Sequence, residues 1–190
     1  SVASRGLGDV YKRQVKYIAT ELLNKGYKPG IVSRGYGGKF KETLEVTDKT
    51  TVKETGDEAQ ILSKLNLPFF IDRNRVRAVK KLTQIHNCDV IISDDGLQHY
   101  PMRRDIEIAV IDGKRRFGNN LTFPAGPLRE TSQRVNSVDF IVNNSGPTEE
   151  NEFLMNISPS KFVHLKSGKK YSIDEWPMHN QVHAVAGLGN

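Results

Sequence analysis

Apolar residues in this chain fall in short blocks separated by polar stretches, and the spacing within blocks changes from helical to extended and back. Tyr17 to Leu23 has helical spacing and runs out at Asn24-Lys25-Gly26, which predicts a helix and its stop. Lys28-Pro29-Gly30-Ile31-Val32 predicts a short strand that opens into Ser33-Arg34-Gly35-Tyr36-Gly37-Gly38. Residues 39–56 are polar and rich in Thr and Lys, which suits a hairpin or mobile loop. A helix is expected over 58–66, a strand at Pro68-Phe69-Phe70-Ile71, and a helix from Arg73 to Ile85.

Val90 to Ser93 is an apolar run that ends in Asp94-Asp95-Gly96, and it predicts a central strand buried on both faces. Further strands are expected at Ile106 to Ile111 and Val138 to Val142. Strands alternating with helices predict an α/β fold, a parallel sheet with helices on both faces. Beyond Gly146 the texture changes. Asn144 to Asn151 reads as a polar linker, Phe162 to Ile173 as two strands around a turn, and Gln181 to Ala186 as a strand reaching Gly187-Leu188-Gly189-Asn190. That ending interrupts a βα unit, so the chain is expected to be a fragment.

Composition narrows the class. No apolar run approaches the roughly 20 residues of a membrane span, and no secretory signal is visible. The lone cysteine, Cys88, precludes an internal disulfide, reads as a small buried hydrophobe, and favours a reducing, cytoplasmic setting. The net charge of +6 is concentrated in Arg73, Arg75, Arg77, Lys80 and Lys81, and in Arg103, Arg104, Lys114, Arg115 and Arg116. Such clusters attract phosphates, nucleic acid or anionic membranes, or they form solvated faces. Aromatic residues are not interleaved with them, which argues against a nucleic-acid platform.

Each candidate chemical group has two readings. The glycines after Ser33 allow close backbone approach to a ligand, with Arg34 on a phosphate, or they form an ordinary turn. Asp57, at a helix start, is a cap or a general base for a substrate hydroxyl. Asp94 and Asp95 resemble the acid of a Walker-B strand, which helps hold Mg²⁺ on a nucleotide, or they form a solvated turn. Gln98 and His99 follow closely. Pro124 to Glu130 is a rigid loop that delivers Arg129 and Glu130 to phosphates or holds a local ion pair. Gly187-Leu188-Gly189 is half of a dinucleotide fingerprint and keeps an oxidoreductase open; the net charge keeps open a binding module for anionic lipid or nucleic acid.

Together these blocks, with Asp72-Arg73, Arg104 to Glu107 and Phe117-Gly118-Asn119, resemble the tetraacyldisaccharide 4′-kinase (lipid A 4′-kinase) family over Val15 to Asn190. The resemblance implies a P-loop NTPase-like kinase at the cytoplasmic face of a Gram-negative inner membrane. Its cofactors would be ATP and Mg²⁺, its substrate a lipid A disaccharide precursor, and its state a monomer that binds no nucleic acid. It implies catalytic roles for Asp57 and Arg129, nucleotide contacts from Arg34 and Gln98, and metal contacts from Asp94, Asp95 and Glu130. Four segments follow: 1–14 outside the family, 15–146 the kinase core, 147–180 a linker with a hairpin, and 181–190 the start of a second α/β domain. Arg5 to Gln14 has Gly6 and Gly8 but no Gly-Lys-Thr/Ser, so a Walker-A loop is missing and the chain by itself is expected to be inactive.

Overall fold

The computed structural model describes residues 8–158, 161–164, 166–172 and 175. Helix α1 (Gly8–Asn24) leads into β1 (Pro29–Ser33); β2 (Leu44–Glu45), α2 (Val52–Thr55) and α3 (Asp57–Ser63) follow, then β3 (Phe69–Ile71), α4 (Arg75–His86) and β4 (Val90–Ser93). These strands form one sheet in the order β2-β3-β1-β4, with β3, β1 and β4 parallel and β2 antiparallel to β3.

The two-residue period of the strands divides the core. Ile31, Phe69 and Ile71 face Val15 of α1 and Ala59 and Leu62 of α3. Val32 and Phe70 face Ala78 and Leu82 of α4, with Cys88 beside them. Helices therefore cover both faces, as expected for a parallel sheet. Gly30 lies under α4, where an added Cβ would come within 2.8 Å of Cys88 Sγ.

A second, wholly parallel sheet is formed by β5 (Ile108–Asp112), β6 (Phe140–Asn144) and β7 (Glu152–Met155). A 3₁₀ helix (Ser132–Ser137) precedes β6, and β8 (Lys161–Val163) pairs with β9 (Lys170–Ser172) as the expected hairpin. Among the described residues no helix is long and apolar enough to cross a membrane.

Several expectations shift. Val90–Ser93 lies at the sheet's edge among the described residues, paired with β1 alone, and all four positions are only half-buried. The polar segment 39–56 is ordered by β2 and by α2, whose Thr51 and Glu54 form a capping box. Residues 144–151 lead into β7, which continues the sheet past Gly146; Asn143 and Glu152 tie this turn together through Nδ2 of Asn143 at 2.7 Å. The expected strand at Gln181 to Ala186, Gly187-Leu188-Gly189 and the second-domain start lie outside the described residues.

Candidate active site

Because β1, β3 and β4 are parallel, their carboxyl ends place Arg34, Asp72-Arg73 and Asp94-Asp95 along one edge. Ligands of open α/β sheets bind at such edges. The turn after β1 depends on glycine: Gly35 and Gly37 have φ of +70° and +79°. This turn lies against the start of α3, where Gly56 has φ +85° and an added Cβ would come within 2.1 Å of the Tyr36 carbonyl oxygen.

Asp94 is buried, and its pKa is pushed up to about 6, first by burial and then by Asp95 and Glu58. Lys12 and Arg75 act in the opposite direction. Asp95 has φ +48°, which aims its side chain differently from that of Asp94. Both of its carboxylate oxygens accept from Arg129 Nη1, at 2.8 and 2.9 Å. Next to Arg129, Glu130 accepts from Gln98 Nε2 at 2.7 Å and from the Tyr100 hydroxyl. Burial opposes the ionised form of Glu130, but these two donors hold its pKa below the usual range.

The structure thus brings Asp95, Arg129, Gln98 and Glu130 together in two adjoining pairs. It does not converge Asp94, Asp95 and Glu130: among the described residues no three His, Cys, Asp or Glu side chains form a group able to hold a metal. Arg34 is exposed and joins the group electrostatically, opposing protonation of Arg75 and His99. Asp57 is exposed and is the first residue of α3; Gly56 takes the cap position, and among the described residues Asp57 Oδ1 accepts from the neighbouring Glu58 N alone, at 2.9 Å.

Three contributors have no site role in the sequence reading, although Arg104 belongs to a block that carries the resemblance. Arg75 is buried, donates from Nη1 to the Asp95 carbonyl at 2.8 Å, and leaves Nε buried without a partner. Its sequence signal was membership of the basic cluster, but charge alone does not say which residue of a helix turns inward. Arg104 donates to the carbonyls of Gly96 and His99, each at 3.1 Å, and so fixes the loop after β4. Lys12, also buried, lies 3.3 Å from Glu58. His99 Nε2 is buried without a partner, and its pKa is lowered by burial and then by Arg75, Arg104 and Arg34.

A glycine turn, paired acids and clustered arginines at a strand edge are the parts expected of phosphoryl-transfer chemistry. The sequence pattern of the tetraacyldisaccharide-1-P 4′-kinase family matches residues 14–190. The chain belongs to this family. It is 44% identical over 177 residues to the tetraacyldisaccharide 4′-kinase of Shewanella frigidimarina, covering 93% of this chain and 52% of that protein. It is 43% identical over 178 residues to that of Vibrio cholerae (strain O395), covering 93% and 52%. The solved structure of LpxK from Aquifex aeolicus in complex with ATP superimposes with a TM-score of 0.70 at 26% identity, over 90% of this chain and 56% of that one. The chain therefore spans about half the length of these relatives. Membership of a kinase family disfavours both the oxidoreductase and the simple binding module.

Proposed function

We propose that this chain carries the catalytic core of an ATP-dependent kinase. It would transfer the γ-phosphate to the 4′-hydroxyl of a tetraacylated glucosamine disaccharide 1-phosphate, giving lipid IVA in lipid A biosynthesis. The observation that carries this reading is the pairing of Asp95 with Arg129 and of Gln98 with Glu130, beside the buried Asp94 at the strand's carboxyl end, in a member of this family. In the transfer, the 4′-oxygen bonds to the γ-phosphorus as the bond from that phosphorus to the β,γ-bridging oxygen breaks. ADP leaves, and the hydroxyl proton passes to Asp57. Arg34 and Arg129 would offset phosphate charge, and Gln98 would face the nucleotide.

Asp94 fits a divalent cation: it is a buried carboxylate whose ionised form lacks enough compensation, and the Ser93 hydroxyl beside it is buried without a partner. Mg²⁺ held there, with Asp95 and Glu130 released from their present partners, would screen phosphate charge.

Leu121 and Phe123 are 50% and 66% exposed on a loop that follows the exposed Lys114 and Arg115. This supports peripheral association with an anionic bilayer, the cytoplasmic face of a Gram-negative inner membrane in this reading. A monomer that binds no nucleic acid completes it.

The test is a chimera in which residues 15–146 replace their counterparts in the Shewanella frigidimarina relative. Radiolabelled ATP should phosphorylate the disaccharide at the 4′ position in the presence of Mg²⁺. The 190-residue chain alone should give no turnover, because residues 5–14 lack Gly-Lys-Thr/Ser. A folded chimera without transfer would refute the assignment.

A further inference from the structure

Asp72, Arg73 and Arg77 have no role in the site described above, unlike Arg75 of the same basic cluster, which donates to the Asp95 carbonyl. These three residues line a cleft of about 350 Å³ together with Phe40 and Lys41. Its volume is at the lower end of the range for small-molecule sites, roughly 300–1,000 Å³. It belongs to the same carboxyl edge: Asp72 N donates to the Ser33 carbonyl at 3.1 Å, one residue before Arg34. Its other wall joins the segment that carries Asp57, since Lys39 N donates to the Lys53 carbonyl at 3.0 Å.

The cleft is built around a fixed guanidinium. Asp72 is 1% exposed and accepts from Arg77 Nη2 at 2.8 Å and Nε at 3.0 Å. Its remaining acceptor capacity is filled by Asn74 N at 2.8 Å and by the Thr43 hydroxyl. Asp72 therefore anchors Arg77 and has little left for a ligand. Arg77 is held in place while its side chain stays 58% exposed, which reduces the ordering cost of binding. Lys41 and Arg73 are exposed cations on the same cleft. Glu42 also acts on Arg77, yet three cations against Glu42 and the committed Asp72 leave positive charge.

We infer that this cleft binds a phosphomonoester dianion, the phosphate that the sugar substrate already carries. The inference rests on the kinase reading for the substrate's identity and deepens it by locating a second contact point. Arg77 and Arg73 would donate to the phosphate oxygens, Lys41 would add a point charge, and Phe40 would offer an apolar side to the sugar ring.

The probe is glucosamine 1-phosphate, titrated calorimetrically into the 190-residue chain without ATP. Glucosamine, inorganic phosphate and phosphatidylglycerol vesicles are run in parallel. Glucosamine 1-phosphate should bind at least fivefold more tightly than glucosamine or inorganic phosphate. K41A/R73A should weaken it at least tenfold with an unchanged melting temperature, because both side chains are exposed; K41R/R73K should restore most of the affinity. Equal affinity in K41A/R73A, or inorganic phosphate binding as tightly as the ester, would overturn the inference. Vesicle binding lost in K41A/R73A, with no binding of the sugar phosphate, would overturn it in favour of a bilayer headgroup. ATP takes no part in this titration, so failure of the kinase reading would appear only in the chimera's transfer assay.

Discussion

A single nitrogen of Arg129, Nη1, bridges both carboxylate oxygens of Asp95, at 2.8 and 2.9 Å, and both side chains are 44% exposed. A nominated phosphate contact and a nominated metal contact thus neutralise each other. Half-exposed pairs are screened, so a double-mutant cycle of Arg129→Ala and Asp95→Asn by urea unfolding should give a coupling of about 0.5–1 kcal/mol. Since one nitrogen makes the contact, Arg129→Lys should keep more than half of it.

Arg77 should behave in the opposite way. It meets Asp72 through Nε and Nη2, a fork that an ammonium does not reproduce, and Asp72 is buried. Arg77→Lys should therefore lower the urea midpoint, and by more than Arg129→Lys does, because the buried Asp72 loses one of its two guanidinium donors. Urea unfolding of the variant checks this, and a loss within error would mean that Thr43 and Asn74 suffice.

Asp94 predicts a pH dependence whose sign is fixed. Its folded pKa is raised from the ordinary carboxyl value to about 6. The stability it contributes is complete below about pH 4 and is lost as pH rises through 6, a change of about 2–3 kcal/mol. His99 works against this: its lowered pKa gives stability present above its ordinary value and lost as pH falls through the folded one. The clean measurement is the difference between Asp94→Asn and the parent chain. Asp94→Asn should gain about 2–3 kcal/mol relative to the parent between pH 4 and pH 7. A pH-independent difference would mean that Asp94 is not buried as an acid.

Alternation of helices and strands is legible in this sequence because Ile31-Val32, Phe69-Phe70-Ile71 and Ala109-Val110-Ile111 pack on both faces, and such strands read as continuous apolar runs. That Val90–Ser93 pairs with β1 alone among the described residues is not legible, because a run of that kind does not say how many strands flank it. The capping box Thr51-Val52-Lys53-Glu54 was available in the sequence and is obscured only by its polar surroundings. Asp94, Asp95 and Arg129 stand out as motifs. The burial of Arg75, and the separate engagement of Asp95 and Glu130, depend on side-chain directions that no spacing records.

Gly56 joins α2 to α3 and has φ +85° and ψ 157°. That conformation strains any L side chain, and the nearest obstacle to a new Cβ is backbone, the Tyr36 carbonyl oxygen at 2.1 Å. Relief would require moving the glycine turn after β1. Gly56→Ala should cost about 2–4 kcal/mol, combining backbone strain with the clash. By contrast, Gly26→Ala should cost only about 1 kcal/mol, since its φ is +85° but nothing lies within 4 Å. Thermal unfolding of the two variants side by side separates clash from strain.

Asp57 decides between a structural and a catalytic reading. As a cap it would have to serve free helix N–H groups, yet Gly56 occupies the cap position and, among the described residues, the Asp57 carboxylate reaches Glu58 N alone. What remains for stability is its favourable place near the positive end of α3, about 0.3–1 kcal/mol for an exposed carboxylate. Asp57→Asn keeps the size and the hydrogen-bonding oxygen while removing the proton acceptor. It should change unfolding free energy by less than about 1 kcal/mol, and in the chimera it should lower the rate of phosphoryl transfer at least 100-fold, within the range for loss of a general base. The binding constant for ATP should stay within about twofold, because the proton-accepting group acts on the sugar hydroxyl. If Asp57→Asn destabilised the fold by several kcal/mol and left transfer intact, Asp57 would be a helix-start residue and the base would lie elsewhere.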